Sequence, residues 1–168
     1  FRVMETGHLE HLYYGRKIHP AIDGLMEQHA FAPGNTNIYD SEHLQFSLED
    51  TCLEMSSFGK GDIREPFVEL TLSDGSETSD FLFEKFEQGT GKEEFETLPG
   101  SYDESGEVEW LGVTLRDKNS GVILELHYYV YEDCDVITRS AKLINESGDV
   151  VKLNRLMSLQ LDLEPSDY

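Results

Sequence analysis

Positive charge is scarce in this sequence. Thirteen lysines and arginines stand against 34 aspartates and glutamates, for a formal net charge of −21. Such a surface repels phosphate backbones and anionic headgroups, so neither a nucleic-acid partner nor a membrane surface is expected. The acidity itself reads as a solvated face rather than as a site for a particular cation. Cysteine is nearly missing too. Cys52 and Cys134 are too few for a disulfide framework. Cys52, in a strand-like run, reads as a small buried apolar residue, and Cys134, among acids, as part of a tight turn. No apolar run approaches the ~20 residues that span a bilayer. Phosphate loops, dinucleotide fingerprints and the nucleophile elbow are absent. His8 and His11 are three apart, which on a strand sends them to opposite faces, and the other histidines have no ligand spacing. No metal site is expected.

What is present is a period of two. Apolar residues make up 38% of the 168 positions, enough for one domain with a real core. Val122, Leu124, Leu126, Tyr128 and Val130 share one face, and Glu125 and His127 lie on the other. That is the mark of a half-buried strand. The run Val151–Leu163 alternates likewise, with Arg155 interrupting its apolar row. Either the arginine stem packs while its head reaches an acid or solvent, or the head makes a domain contact; the first is favoured. Further strands are expected at Phe46–Ser56, Pro66–Leu72, Asp80–Gln88, Val108–Asp117 and Asp135–Asn145, divided by Gly/Asn/Asp/Ser turns. Ala21–His29 is the one helix candidate, weakened by Gly24, and Ala32–Glu42 and Gly100–Glu107 read as loops. The expected fold is a single, mostly antiparallel β-sandwich over residues 1–168 with little helix.

The stretch Phe58-Gly59-Lys60-Gly61-Asp62-Ile63-Arg64-Glu65-Pro66 sits between strand-like segments. Glycine permits φ > 0 or close backbone approach, and proline removes a donor at a strand start. This is a shaped structural turn in which Gly59 or Gly61 adopts positive φ and Asp62 and Arg64 hold something.

The same stretch resembles the G-x-G-D-(aromatic or aliphatic)-R-x-P segment in the N-terminal domain of bacterial glycoside hydrolase family 36 α-galactosidases. Leu9–Lys17 is similar to that family's early L-x-H-x-Y-(Y/W/F)-G-K strand. Leu98-Pro99-Gly100-Ser101-Tyr102 resembles its G-L-P-A-T-Y turn, and Asp135–Ala141 its D-V-I-x-R-S-A strand. Ser158–Asp162 and the closing Asp167-Tyr168 also fit. The resemblance covers essentially the whole chain.

It implies a parent enzyme that removes terminal α-linked galactose from sugars such as melibiose, raffinose and stachyose with retention of configuration, using no metal and no organic cofactor. The family's nucleophile lies in K-W-D-x-N and its acid/base in a glycine-rich segment on a downstream (β/α)8 barrel. Neither motif occurs here; Trp110 stands in Glu109-Trp110-Leu111. The resemblance therefore implies a chain without catalytic residues, whose partners are its own downstream barrel and, in a homo-oligomer such as a tetramer, other subunits. Ala30-Phe31-Ala32-Pro33 is similar to the family's A-F-(S/A)-P segment, which an acid precedes by two positions and where that acid reaches the sugar pocket. Here the position holds Gln28, with Asp23 a nearby acid. Gln28 is thus the candidate for the pocket rim, beside the reading of an ordinary loop glutamine.

The alternative class is a free-standing carbohydrate-binding module. Trp110 and Tyr13, Tyr14, Tyr39, Tyr102, Tyr128, Tyr129 and Tyr131 are available for stacking on sugars, although core or interface packing is the commoner role in strands. The chain opens on Phe1-Arg2-Val3-Met4 without a signal pattern. It reads as cut from a longer protein, with the cytoplasm as default and a signal peptide left open.

Overall fold

The computed structural model describes residues 1–16, 18–19, 25, 37–95, 97 and 99–162. Among them the chain forms eight strands: β1 (Arg2–Val3), β2 (Leu9–Glu10), β3 (Val68–Thr71), β4 (Phe81–Thr90), β5 (Glu109–Asp117), β6 (Ile123–Tyr131), β7 (Val136–Ile144) and β8 (Lys152–Leu156). β4 to β7 form a four-stranded meander in sequence order, while β1 pairs with β2 and β3 with β8. Every pairing between these strands is antiparallel, with one isolated parallel bridge from Ser57 to Val68, and the architecture is a β-sandwich. The expected helix Ala21–His29 lies, apart from Leu25, outside the described residues.

Turn chemistry closes the hairpins. Between β5 and β6, Asp117 Oδ2 accepts from the Ser120 backbone N–H at 2.8 Å, and Gly121 turns the chain at φ 77°. Between β6 and β7 a short 3₁₀ turn, Glu132–Cys134, ends on Asp135 in the left-handed region. Aspartate is among the few residues with a side chain that tolerate it. Cys134 is exposed in this turn and Cys52 is half-buried.

The period-two residues of β5 and β6 now have a destination. Val113, Leu115, Leu124, Leu126 and Tyr128 point inward and meet Leu9, Met55, Phe67, Val68 and Leu70 from the opposite layer. Each such side chain stabilises the fold by roughly 1.5–3 kcal/mol through burial.

Two expectations are corrected. Phe46–Ser56 is not a strand. Its apolar residues Leu48, Leu53 and Met55 are buried, but the backbone turns back on itself, with Thr51 N–H donating to Leu48 O at 3.2 Å. Only Leu53 makes an isolated bridge, to Glu10. The segment's Leu48 and Thr51 carbonyls are taken by Arg64, while those of Cys52 and Ser56 accept from the His11 and Phe67 backbone N–H groups. Second, Val151–Leu163 does not continue as one strand. The β3–β8 register shifts between Glu69 and Leu70, so Leu156 meets Val68 and Leu153 meets Leu70, with Asn154 left over. A bulge of this kind breaks the two-residue period. Beyond Leu156 the chain leaves the ladder because Gln160 and Asp162 bind other parts of the fold with their side chains. Arg155 follows the favoured reading: it pairs with Glu65 at the surface.

A buried carboxylate, Asp80, fastens the N-terminal segment to the meander, and a second, Asp117, holds it in place. Asp80 accepts from Tyr39 Oη at 2.8 Å and lies 3.2 Å from His8 Nε2. Its backbone N–H donates to Asp117 Oδ1 at 2.5 Å. Burial alone would raise the Asp80 pKa, but the bonds to His8 and Tyr39 outweigh it and hold the carboxyl below its ordinary value. The Tyr39 phenol is pushed up, first by burial and then by Asp80.

A carboxyl whose folded pKa lies below its unfolded value of about 3.9 contributes stability above that pH and loses it as pH falls through the folded value. Denaturant midpoints are therefore expected to drop as pH falls below about 4. Asp80→Asn should lower the midpoint at neutral pH and flatten part of that acid dependence. A variant with the wild-type midpoint and acid profile would remove Asp80 from this role.

Candidate functional site

The Phe58–Pro66 turn is built by three successive residues at positive φ: Gly59 at 97°, Lys60 at 60° and Gly61 at 82°. Both glycines are favoured by φ, and space adds to this most strongly at Gly59. A Cβ at Gly59 would stand 2.8 Å from Thr78 Cγ2, and one at Gly61 3.3 Å from Asn37 Cβ. The reversal brings Asp62 N–H to Gly59 O at 3.3 Å. It also aims the Asp62 carboxylate at Arg64, which grips it with two donors: Nε to Oδ1 at 2.9 Å and Nη2 to Oδ2 at 3.2 Å. The Arg64 backbone N–H adds a bond to Asp62 Oδ1 at 3.1 Å.

The remaining donors of Arg64 reach across the sequence. Nη1 donates to Thr51 O at 2.5 Å and to the Asp162 carboxylate, and Nη2 donates to Leu48 O. Asp162 Oδ2 in turn accepts from Leu53 N–H at 3.3 Å. Burial would lower the Arg64 pKa, but Asp62 and Asp162 outweigh it and raise it. Pro66 is buried at the end of the turn. With no N–H of its own, it leads to Phe67, whose N–H donates to Ser56 O at 3.0 Å.

A second network lies beside the first. Glu54, 4% exposed, accepts at Oε1 from Tyr128 Oη at 2.9 Å and from Arg139 Nη1 at 3.0 Å. Its Oε2 lies 2.9 Å from His11 Nδ1. Arg139 Nη2 donates to the Glu54 carbonyl at 3.1 Å, and the guanidinium lies over the rings of Phe67 and Tyr128. Gln160 Oε1 accepts from Ser56 N–H at 3.0 Å and Ser56 Oγ at 2.8 Å.

The motifs quoted from the sequence thus meet in space. His11 of the early segment, Arg139 of the D-V-I-T-R-S-A strand, and Gln160 and Asp162 near the C-terminus converge on the loop before the Gly59 turn. Glu54 belongs to none of these motifs. Its signal was an acid inside the apolar run Cys52-Leu53-Glu54-Met55, a place where burial demands a partner.

Chemically, these networks are closed. Asp62 is held by Arg64 and Glu54 by Arg139, so neither is presented to a substrate as an acid or nucleophile. Among the described residues no cluster of three or more His, Cys, Asp or Glu could hold a metal, and no helix is long and apolar enough to cross a membrane. Gln28, Asp23 and Ala30–Pro33 lie outside the described residues. Gly61 touches Asn37, where the described chain resumes.

Removing Arg64 leaves the almost fully buried Asp62 carboxylate without its cation. Arg64→Ala is expected to cost about 3–5 kcal/mol in denaturant unfolding, whereas Asp162→Ala, a more exposed partner, should cost less than half of that. Equal losses, or a loss under about 1 kcal/mol for Arg64→Ala, would show that the guanidinium is not the hub. Gly61→Val should cost roughly 1–3 kcal/mol through backbone strain, checked by thermal melting.

The profile described as Glycosyl hydrolase family 36 N-terminal domain matches residues 7–168. The chain is 31% identical to α-galactosidase AgaA of Geobacillus stearothermophilus over 176 residues, covering 99% of this chain and 23% of that protein. It is 29% identical to α-galactosidase Mel36A of Lactobacillus acidophilus, again over 99% of this chain and 23% of the relative. Among solved structures, the α-galactosidase from Lactobacillus brevis superposes with a TM-score of 0.88 at 32% identity, covering 96% of this chain and 22% of the other. An AgaA variant in complex with raffinose gives a TM-score of 0.88 at 29% identity, covering 95% of this chain and 22% of the other. The chain therefore spans less than a quarter of the length of these relatives. Matched from residue 7 to its last residue and superposing along nearly all of its length, the chain belongs to glycosyl hydrolase family 36, as its N-terminal domain.

Proposed function

We propose that this chain is the non-catalytic N-terminal part of a retaining α-galactosidase that hydrolyses terminal α-linked galactose from oligosaccharides of the melibiose and raffinose type. The observation that carries the reading is the closure of its own carboxylates. Glycoside hydrolysis needs two carboxyl groups facing one sugar across about 5–9.5 Å. Here the buried acids that the motifs bring together are each spent on an arginine. The chemistry then falls to a barrel elsewhere in the parent protein. Family membership supports the substrate class, since AgaA variants are known in complex with raffinose and with stachyose.

The domain's own work in this reading is architectural. It supports the barrel, builds subunit contacts and brings Gln28 to the rim of a sugar pocket. The last of these rests on the likeness of Ala30-Phe31-Ala32-Pro33 to the family's A-F-(S/A)-P segment, with Gln28 at the position of its acid.

The full-length protein should hydrolyse a nitrophenyl α-galactoside and melibiose, and the purified 168-residue chain should turn over neither. Turnover by the chain alone above a mock preparation would overturn the reading. In the full-length enzyme Gln28→Ala should lower kcat/KM by up to about tenfold, the scale of one lost neutral hydrogen bond, with folding intact. Unchanged kcat/KM in Gln28→Ala and Gln28→Asp alike would leave the domain a purely architectural role.

A further inference from the structure

The face of the meander turned away from the core carries a groove of about 450 Å³ across β4, β5 and β6. That lies within the range of small-ligand clefts, about 300–1,000 Å³. Its floor is Trp110. The register sets Gly89 opposite Trp110 and Glu87 opposite Gly112. A Cβ at Gly89 would stand 2.9 Å from Trp110 Nε1 and 3.0 Å from Cε2, and one at Gly112 would stand 3.4 Å from Cζ3. The two glycines clear the sheet so that the indole lies flat across it. One side of the ring rests on backbone and the other lines the groove.

Hydrogen-bonding groups flank the ring in rows. Glu87, Gly112 and His127 are cross-strand neighbours, as are Lys85, Thr114 and Glu125. Each carboxylate has a cation beside it: Lys85 Nζ lies 2.7 Å from Glu87 Oε1, and Lys142 Nζ lies 3.3 Å from Glu125 Oε2. His127 Nε2 is 3.6 Å from the same Glu125 oxygen.

We infer that this groove is a carbohydrate-binding site in which a galactosyl ring stacks on Trp110 while its hydroxyls bond to Glu87, Glu125 and His127. A pyranose presents an apolar C–H face beside adjacent hydroxyls that both donate and accept. A flat indole edged by charge-compensated carboxylates matches both features. Other ligand classes fit less well. A polyanion would meet the acidic surface of a chain with net charge −21. A cation would find the carboxylates already paired. A partner protein would need an uncharged, apolar centre, and the groove is edged instead by lysines and glutamates. Galactose is favoured among hexoses because its axial O4 gathers the C–H bonds on one face. That choice rests on the α-galactosidase reading, while the stacking geometry does not.

Trp110 is the only tryptophan of the chain, so its fluorescence reports the groove directly. Titrating the folded 168-residue chain with raffinose is expected to give a saturable change in Trp110 emission, and sucrose, which lacks the galactosyl unit, a much weaker one. Glu87→Gln and Glu125→Gln, whose side chains are off the core, should each weaken raffinose binding about tenfold or more, the effect of losing one charge-assisted hydrogen bond. Circular dichroism checks the fold of each variant. Absence of a saturable change with raffinose, equal binding of sucrose, or wild-type affinity in both glutamine variants would overturn the proposal. In the full-length protein, crystals soaked in raffinose should show a sugar ring over Trp110; a groove filled there by another part of the protein would overturn it equally. None of these readouts involves hydrolysis. A full-length protein inactive on α-galactosides would overturn the proposed enzyme function and leave the outcome of the titration standing.

Discussion

One guanidinium organises the part of this fold that is not sheet. Arg64 takes the Asp62 carboxylate in a two-donor fork and spends its other donors on Leu48 O, Thr51 O and Asp162. Three segments far apart in sequence are tied by one planar group. Lysine has the charge but not the fork, so it could not hold these partners together. Leu48 O and Thr51 O are aimed at this arginine rather than at a neighbouring strand, which makes that part of an apolar run with strand-like composition irregular. The Gly59–Gly61 reversal is what places Asp62 opposite the arginine, so the positive φ values of the turn and the ion pair depend on each other.

The buried polar network around Glu54 does a related job between the layers. Burying a carboxylate and a guanidinium is costly, and such a pair breaks even only when the remaining donors and acceptors are satisfied. The Glu54 carboxylate is fully partnered, since Tyr128, Arg139 and His11 all lie within hydrogen-bonding distance of it, whereas Arg139 Nε and His11 Nε2 are buried without a partner among the described residues. Specificity of layer packing is the gain. Tyr128 and Arg139 belong to adjacent strands of the meander and pair in register, whereas Glu54 and His11 belong to the opposite layer. A slip of the meander by one residue would turn both away from the acid.

The two faces of the meander differ for the same reason. The inward face of β5 and β6 is aliphatic and closes the core. The outward face carries Trp110, Gly112, Glu125 and His127, with glycines where the indole lies down. Glycine in a strand interior weakens the strand and marks close approach by another group. Gly89 and Gly112 are cases of that rule, and the group that approaches is the protein's own tryptophan.

Local order is what the sequence determined by itself. Period-two alternation sufficed for β6, which is regular and well buried, and apolar runs divided by turn residues marked β4, β5 and β7, although β4 shifts register against β5 and β4 and β7 are largely outside the core. The Gly-Lys-Gly-Asp turn was legible because positive φ and the Asp–Arg fork act within a few residues. Family membership was legible from ordered motifs. Only the tertiary structure decided which distant groups those motifs serve. That Phe46–Ser56 is not a strand, that a bulge near Asn154 breaks the last alternation, that Glu54 is the buried partner of Arg139, and that Gly89 makes room for Trp110 all depend on contacts between segments distant in sequence. An acid or a glycine carries no mark in the sequence of the neighbour that folding will bring to it.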